Sequence, residues 1–213
     1  YARWVGDFVQ GDWGTSYSYS LPVKDMVLEK LPATATLVLL GFAITVAASF
    51  PIGIATAKRA GGKLDRAITV FNQVCMSIPP VFVGILLCFV FGITLRVFVP
   101  GRFVTFGEDP GGFLLYMLFP ALAVALSRIA MTVKMLRSSI LDEMEKDYIR
   151  TAFSRGWTRV DALKKHALRN AIIPVIAFLG VTAAELVAGS IVVEQVFAVP
   201  GLGQLLLSSI GRR

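Results

Sequence analysis

The feature that most constrains this chain is a set of long stretches with almost no charge. Residues 33–57 carry none. Residues 67–95 carry none either, although Pro79 and Pro80 interrupt them. Residues 110–131 hold only Arg128, and residues 171–193 hold only Glu185. About 20 apolar residues cross the hydrocarbon core of a bilayer as a helix. Only helices and closed barrels satisfy their backbone polar groups there. A barrel needs alternating segments of about ten residues, and these runs do not alternate. The expectation is an all-α, polytopic membrane protein with four spans in this stretch: 33–57, 67–95, 110–131 and 171–193.

Composition agrees. Of 213 residues, 55% are hydrophobic and 16% are charged; soluble domains carry about 25% charge. The net charge of +7 does not read as a nucleic-acid surface, because the basic residues sit in loops between apolar runs without interleaved aromatics. It reads as topology. The loop KRAGGKLDR (residues 58–66) and residues 134–170 together carry thirteen Lys and Arg. The remaining segments carry seven: Arg3, Lys24, Lys30, Arg96, Arg102, Arg212 and Arg213. The positive-inside rule puts the first two loops in the cytoplasm. Residues 1–32, the loop after Leu95 and residues 194–213 then lie outside. With both ends outside and an even number of spans, a further span is expected beyond each end. Cys75 and Cys88 read as small buried apolar residues. His166 is the only histidine and has no metal-ligand spacing around it, so no metal site and no catalytic residue are expected.

Residues 147–174, DYIRTAFSRGWTRVDALKKHALRNAIIP, are basic and helix-forming between two apolar runs. Asp147 reads as an N-cap, Tyr148 to Arg155 as a short helix, and Gly156 as its left-handed stop. Thr158 with Asp161 reads as a second N-cap, a relative of the capping box. A further helix is expected from Arg159 towards Asn170, entering the last span at Pro174. On the first helix, Tyr148, Ile149, Ala152 and Phe153 share one apolar face flanked by Arg150 and Arg155. Eight residues do not hold a helix in water by themselves. The face therefore packs on its own bundle or lipid, or docks into a partner's groove.

This stretch resembles the cytoplasmic loop of permease subunits of binding-protein-dependent ABC importers. That loop has a pattern of E-A-A, three residues and a glycine, then I-x-L-P. Aligned on Gly156, its first sites fall on Arg150, Thr151 and Ala152 and its later ones on His166, Leu168 and Arg169; Ala152, Gly156 and Leu168 keep the consensus. The dipeptide, oligopeptide and nickel branch, with "DYVRTARAKG…RHALRNALIPV", is similar over nearly the whole loop. GDWGTS (11–16), LPATATLVL (31–39), SIPPVFVGILL (77–87) and VVEQVFAVPGLGQLL (192–206) resemble that branch too.

The resemblance implies a type I ABC importer permease fold with about six spans, of which this chain would hold the second to fifth. It implies a multi-pass protein of the bacterial or archaeal inner membrane. The partners implied are two ATP-binding subunits, a second homologous permease and an extracytoplasmic substrate-binding protein, all working in a lipid bilayer. Asp147, Tyr148, Ile149, Arg150, Thr151, Ala152, Phe153, Gly156 and Leu168 would couple to an ATPase subunit. No cofactor is expected on this chain; ATP and magnesium would bind the ATPase subunits, because no GxxxxGK[ST] occurs here.

The cargo implied is a short peptide, with nickel or another small solute as the alternative. A secondary transporter, which would need an inverted repeat or an ion relay, and an intramembrane enzyme are the more distant rivals. Candidates for the path or gate are Ser77, Pro79, Pro80, Arg128, Glu185 and Glu194. The two prolines read as a structural kink or as a broken helix lining the path, with Ser77 serving freed backbone groups. Arg128 either snorkels to the interface or is functional. Glu185 is either a polar contact across the bundle or a path residue. Glu194 would cap a gate or meet the binding protein.

Overall fold

The computed structural model describes residues 2–212, with side chains from Val5 onward. Tyr1, Arg213 and the Arg3 side chain, all read above as parts of the outer segments, lie outside the described residues. The helices are α1 (Ala2–Val9), α2 (Val23–Lys58), α3 (Lys63–Ser77), α4 (Pro80–Leu87), α5 (Pro110–Met144), α6 (Asp147–Ser154), α7 (Arg159–Ala162), α8 (Leu168–Phe197) and α9 (Leu202–Gly211). π-helical segments continue α4 through Cys88–Thr94 and join α7 to α8 through Leu163–Ala167. Among the described residues the only β pairing is an isolated bridge between Thr15 and Pro22.

Three helices are long and apolar enough to cross a membrane: Val23–Lys58, Pro110–Met144 and the continuous Arg159–Phe197. Each overruns its expected boundary. The 36 residues of α2 span about 54 Å at 1.5 Å per residue, well beyond a core of about 30 Å. Its first ten residues belong to the stretch expected as an outer segment. Helix α5 likewise runs through Lys134 and Arg137 to Met144, so the loop expected from residue 134 begins only after 144. Charges mark where a helix leaves lipid, and nothing at Lys24, Glu29, Lys134 or Arg137 breaks a helix.

The run at 67–95 is not one rod. Lys63–Ser77 and Pro80–Thr94 meet at 96°. Pro79 is extended (ψ 141°) and Pro80 takes the first helical position of α4, where its missing N–H costs nothing. The bent pair still runs from one end of the bundle to the other. At its start Asp65 bonds Arg137 near the basic end of α5. Beyond the bend Gly84 lies against Phe197 at the far end of α8.

Helix α5 is central, with α2, α3 and α8 around it. Glycines let α2 come close: a Cβ at Gly41 would lie 3.0 Å from Val124 Cγ2, and one at Gly53 would lie 2.9 Å from Leu136 Cδ2. Small residues at such contacts are how membrane helices gain packing area. Two large apolar cores result. One, at the end away from the basic loops, gathers Leu37, Val83, Met117, Phe119, Leu186 and Phe197; Phe98 stacks there on Phe119 at 4.4 Å. The other, at the basic end, gathers Ala57, Leu136, Ile140, Leu163 and Val175.

Candidate functional site

Helix α6 is built much as its sequence suggests, with one correction. Asp147 is its first helical residue, not its N-cap. Lys146 holds the cap position with extended backbone and no side-chain bond. Asp147 still favours the helix, because a carboxylate in the first turn meets the positive end of the dipole; Arg150 donates to it at 3.3 Å. The helix ends in a Schellman motif: Trp157 N–H donates to the Ala152 carbonyl (3.2 Å) and Gly156 N–H to the Phe153 carbonyl (2.9 Å). Gly156 has φ +87°, and a Cβ there would touch nothing. The glycine is required by conformation rather than space. Thr158 then caps α7, accepting from Asp161 N–H at 3.2 Å and donating to its carboxylate at 2.5 Å.

The apolar face of α6 divides. Ile149 and Ala152 are buried, and Ile149 packs with Met144, Ala162 and Ala167 in a small core. Tyr148 and Phe153 are 38% and 40% exposed. Packing on its own chain therefore holds the helix, and a second side is left facing out. The Tyr148 hydroxyl donates to Glu143 Oε2 at 2.6 Å and accepts from Asn170 Nδ2 at 3.2 Å, tying α5, α6 and α8 together. Partial burial, with the Glu143 carboxylate beside it, pushes the Tyr148 pKa up, so it stays a donor. Trp157 meets His166 edge-on at 4.9 Å and lies under Lys165 Nζ at 4.7 Å, which fixes the elbow. Leu168 is half-buried in the basic-end core. Of the nine residues read as coupling, Ile149, Ala152 and Leu168 thus face inward. Asp147, Tyr148, Arg150, Thr151 and Phe153 are exposed, and so is Gly156 at the elbow.

The path candidates separate into three places. At the bend, the Ser77 hydroxyl donates to the Gln73 carbonyl at 2.9 Å, and Pro79 and Pro80 make the 96° break rather than a mild kink. Arg128 and Glu185, treated separately above, form one ion pair between α5 and α8. The charge of Arg128 is met within the bundle, which lowers the cost of holding it there. Glu185 keeps 44% of its side chain exposed and Arg128 20%.

Glu194 is fully buried. Its Oε1 accepts from the Thr34 hydroxyl (2.6 Å), and its Oε2 from the N–H groups of Gly203 (2.7 Å) and Gln204 (3.3 Å). Thr34 Oγ1 in turn accepts from Leu202 N–H at 2.8 Å. A carboxylate of α8 and a hydroxyl of α2 together cap α9. Glu194 offers no surface to another protein in this arrangement. The glycines of PGLG make the approach possible: a Cβ at Gly201 would lie 2.4 Å from Glu194 Cδ, and one at Gly203 2.5 Å from Ile191 Cα.

One pair escaped the sequence reading. Arg137 donates to both oxygens of Asp65, at 2.6 and 2.8 Å, and Gly61 N–H adds a third bond at 2.8 Å. Asp65 is in the first turn of α3, where an acid reads as a helix-start preference. Its single acidic charge among the basic residues of 58–66 was the available signal.

Comparison with known proteins places this geometry. Residues 49–213 match the family described as binding-protein-dependent transport system inner membrane component. The oligopeptide transport system permease protein AppB of Bacillus subtilis is 36% identical over 216 residues, covering 100% of this chain and 68% of that protein. A Brucella abortus protein named for a peptide transport system permease is also 36% identical, covering 98% of this chain and 66% of its own length. The dipeptide transport system permease protein DppB of Lactococcus lactis is 29% identical, covering 99% and 67%. The chain thus spans about two thirds of these relatives. The apolar helices, the α6 elbow and the Glu194 cap are features of a chain that belongs to the family of inner membrane components of binding-protein-dependent transport systems.

Proposed function

We propose that this chain is a permease subunit that forms part of the translocation path for short peptides in an ATP-driven importer, with α6 as the element that couples to a cytoplasmic ATPase subunit. Hydrolysis takes place on that partner. The complete assembly has two ATPase subunits, a second, similar permease and an extracytoplasmic binding protein. The basic loops and α6 face the cytoplasm, as the distribution of Lys and Arg supports. The peptide cargo is supported by the names of the relatives.

The observation that carries the coupling role is the division of α6. One side is locked to α5, α7 and α8 through Ile149, Ala152 and the Tyr148 hydroxyl. The other presents Phe153, Arg150 and Thr151 outward. A helix held this way transmits force into the bundle, whereas a loosely attached one would yield.

The test uses the full-length protein with its partner subunits in proteoliposomes. Phe153→Asp removes an exposed aromatic ring worth about 2 kcal/mol at an interface. It should reduce co-purified ATPase subunits about 30-fold and abolish ATP-dependent uptake of a labelled tripeptide, with the thermal midpoint of the permease unchanged. Normal assembly and uptake by the variant would remove α6 from the coupling role. Absence of tripeptide uptake by the wild type would remove the peptide assignment instead.

A further inference from the structure

Between α2, α3 and α5, near the basic end, lies a cavity of about 160 Å³ lined by Thr56, Thr69, Asn72, Gln73, Lys134 and Arg137 among others. It is apart from α6, the Arg128–Glu185 pair and Glu194. Asn72 is only 8% exposed, yet among the described residues its amide has no hydrogen-bond partner. Its neighbour Thr56 has turned its hydroxyl back to its own helix, onto the carbonyls of Ile52 and Gly53. An amide can make up to four hydrogen bonds, so this one is open to whatever enters the cavity. The lining mixes these polar groups with Ile68, Met76 and Val133, and the space is open enough for water or a small ligand to reach them.

Charge decides what kind of molecule. Arg137 uses its Nε and Nη2 on Asp65, so that pair is neutral as a unit and leaves Nη1 free. Lys134, on the same wall, has no ion pair or hydrogen bond among the described residues. The lining therefore carries an uncompensated positive charge, with amide and hydroxyl donors around it. Thr56 is two residues before Lys58, where α2 leaves the apolar region, so the cavity is at the depth of a bilayer's inner interface. Basic pockets at that depth suit phosphate groups.

We infer that this cavity binds a phosphate-type monoanion, held by Lys134, the free edge of Arg137 and the Asn72 amide. Two sources share that chemistry: the headgroup of an anionic lipid and free inorganic phosphate. The site is independent of the cargo and of the coupling role.

The test compares thermal midpoints of the full-length permease complex in phosphatidylglycerol nanodiscs, in phosphatidylcholine nanodiscs, and in phosphatidylcholine nanodiscs with millimolar inorganic phosphate. The variants are Lys134→Gln, Asn72→Leu and, as a control outside the cavity, Lys164→Gln. The wild type and Lys164→Gln should gain several degrees in phosphatidylglycerol, and Lys134→Gln should lose most of that gain. Lys134 is exposed and unpaired, so its substitution leaves the fold intact if Asn72→Leu does not. A gain with inorganic phosphate that Lys134→Gln also removes would identify the free ion as the ligand. No gain in either arm, or a gain that Lys134→Gln retains, would overturn the site and leave it filled by water.

Discussion

The Glu194 cap gives a sharp test of how the end of the bundle away from the basic loops is held. Both carboxylate oxygens face donors: Thr34 on Oε1, Gly203 and Gln204 on Oε2. Thr34 must donate here, because a carboxylate oxygen can only accept, while its own oxygen also accepts from Leu202 N–H. Hydrogen bonds to a charged group contribute about 1.5–3 kcal/mol each, so the two short ones contribute about 3–6 kcal/mol. Glu194→Ala loses them but also releases the cost of burying a carboxylate, several kcal/mol. It also leaves the Gly203 N–H and the Thr34 hydroxyl without their partner, at about 1–3 kcal/mol each, so a net loss of about 3 kcal/mol is expected. Glu194→Gln keeps the shape. Its oxygen can serve Gly203 while its NH₂ group meets Thr34, leaving only the threonine hydrogen without a partner, at about 1.4 kcal/mol. Hydrogen exchange of the Gly203 and Gln204 amides reads this locally, because each 1.4 kcal/mol is a factor of ten. Exchange should rise about tenfold in the glutamine variant and about 100-fold in the alanine variant. Unchanged exchange in Glu194→Ala would refute the idea that the carboxylate caps α9.

Two further predictions concern the packing of α5. Gly53→Val should destabilise the bundle by about 2 kcal/mol through overpacking against Leu136, and adding Leu136→Ala should recover part of that loss; a double-mutant cycle of unfolding in detergent checks the coupling. Arg137→Lys should cost about 1–2 kcal/mol, because an ammonium cannot make the two-pronged contact with Asp65, and Arg137→Ala about 3 kcal/mol, because it leaves Asp65 buried and unpaired. Thermal midpoints of the two variants measure the difference.

The long apolar helices were legible because their signal is additive along the chain. Residues 33–57 and 171–193 announce themselves by lacking charge, and the bent pair still crosses the bundle. Helix ends were not legible, because residues 23–32 and 134–144 contain charges that end an apolar run without ending a helix. The α6 elbow was legible because a Schellman stop and a Thr–Asp start are local chemistry. Which half of its apolar face would be buried was not, since that depends on where Ala162 and Ala167 come to lie. The Arg128–Glu185, Asp65–Arg137 and Thr34–Glu194 contacts join residues 57, 72 and 160 positions apart. Composition raised Arg128 and Glu185 as expensive charges and the resemblance raised Glu194 as a gate or docking residue, but only the tertiary structure gives each its partner.

Where these contacts lie bears on how a push on α6 would spread. The helix is fixed to the last turn of α5 through Glu143 and to the base of α8 through Asn170. Both neighbours are long unbroken helices, stiff along their axes, and the Arg128–Glu185 pair joins them partway along. At the far end α8 is tied to α2 and α9 by Glu194. Helices α5, α6 and α8 are therefore linked at one end of the bundle, and α2, α8 and α9 at the other. The weak place is the bend at Pro79 and Pro80, where no backbone ladder crosses from α3 to α4 and the adjoining segment is π-helical. Helix α3 is pinned to α5 by Asp65, whereas α4 packs against α8 at Gly84. A shift of α8 relative to α5 would thus pull the two halves of the broken span in different directions.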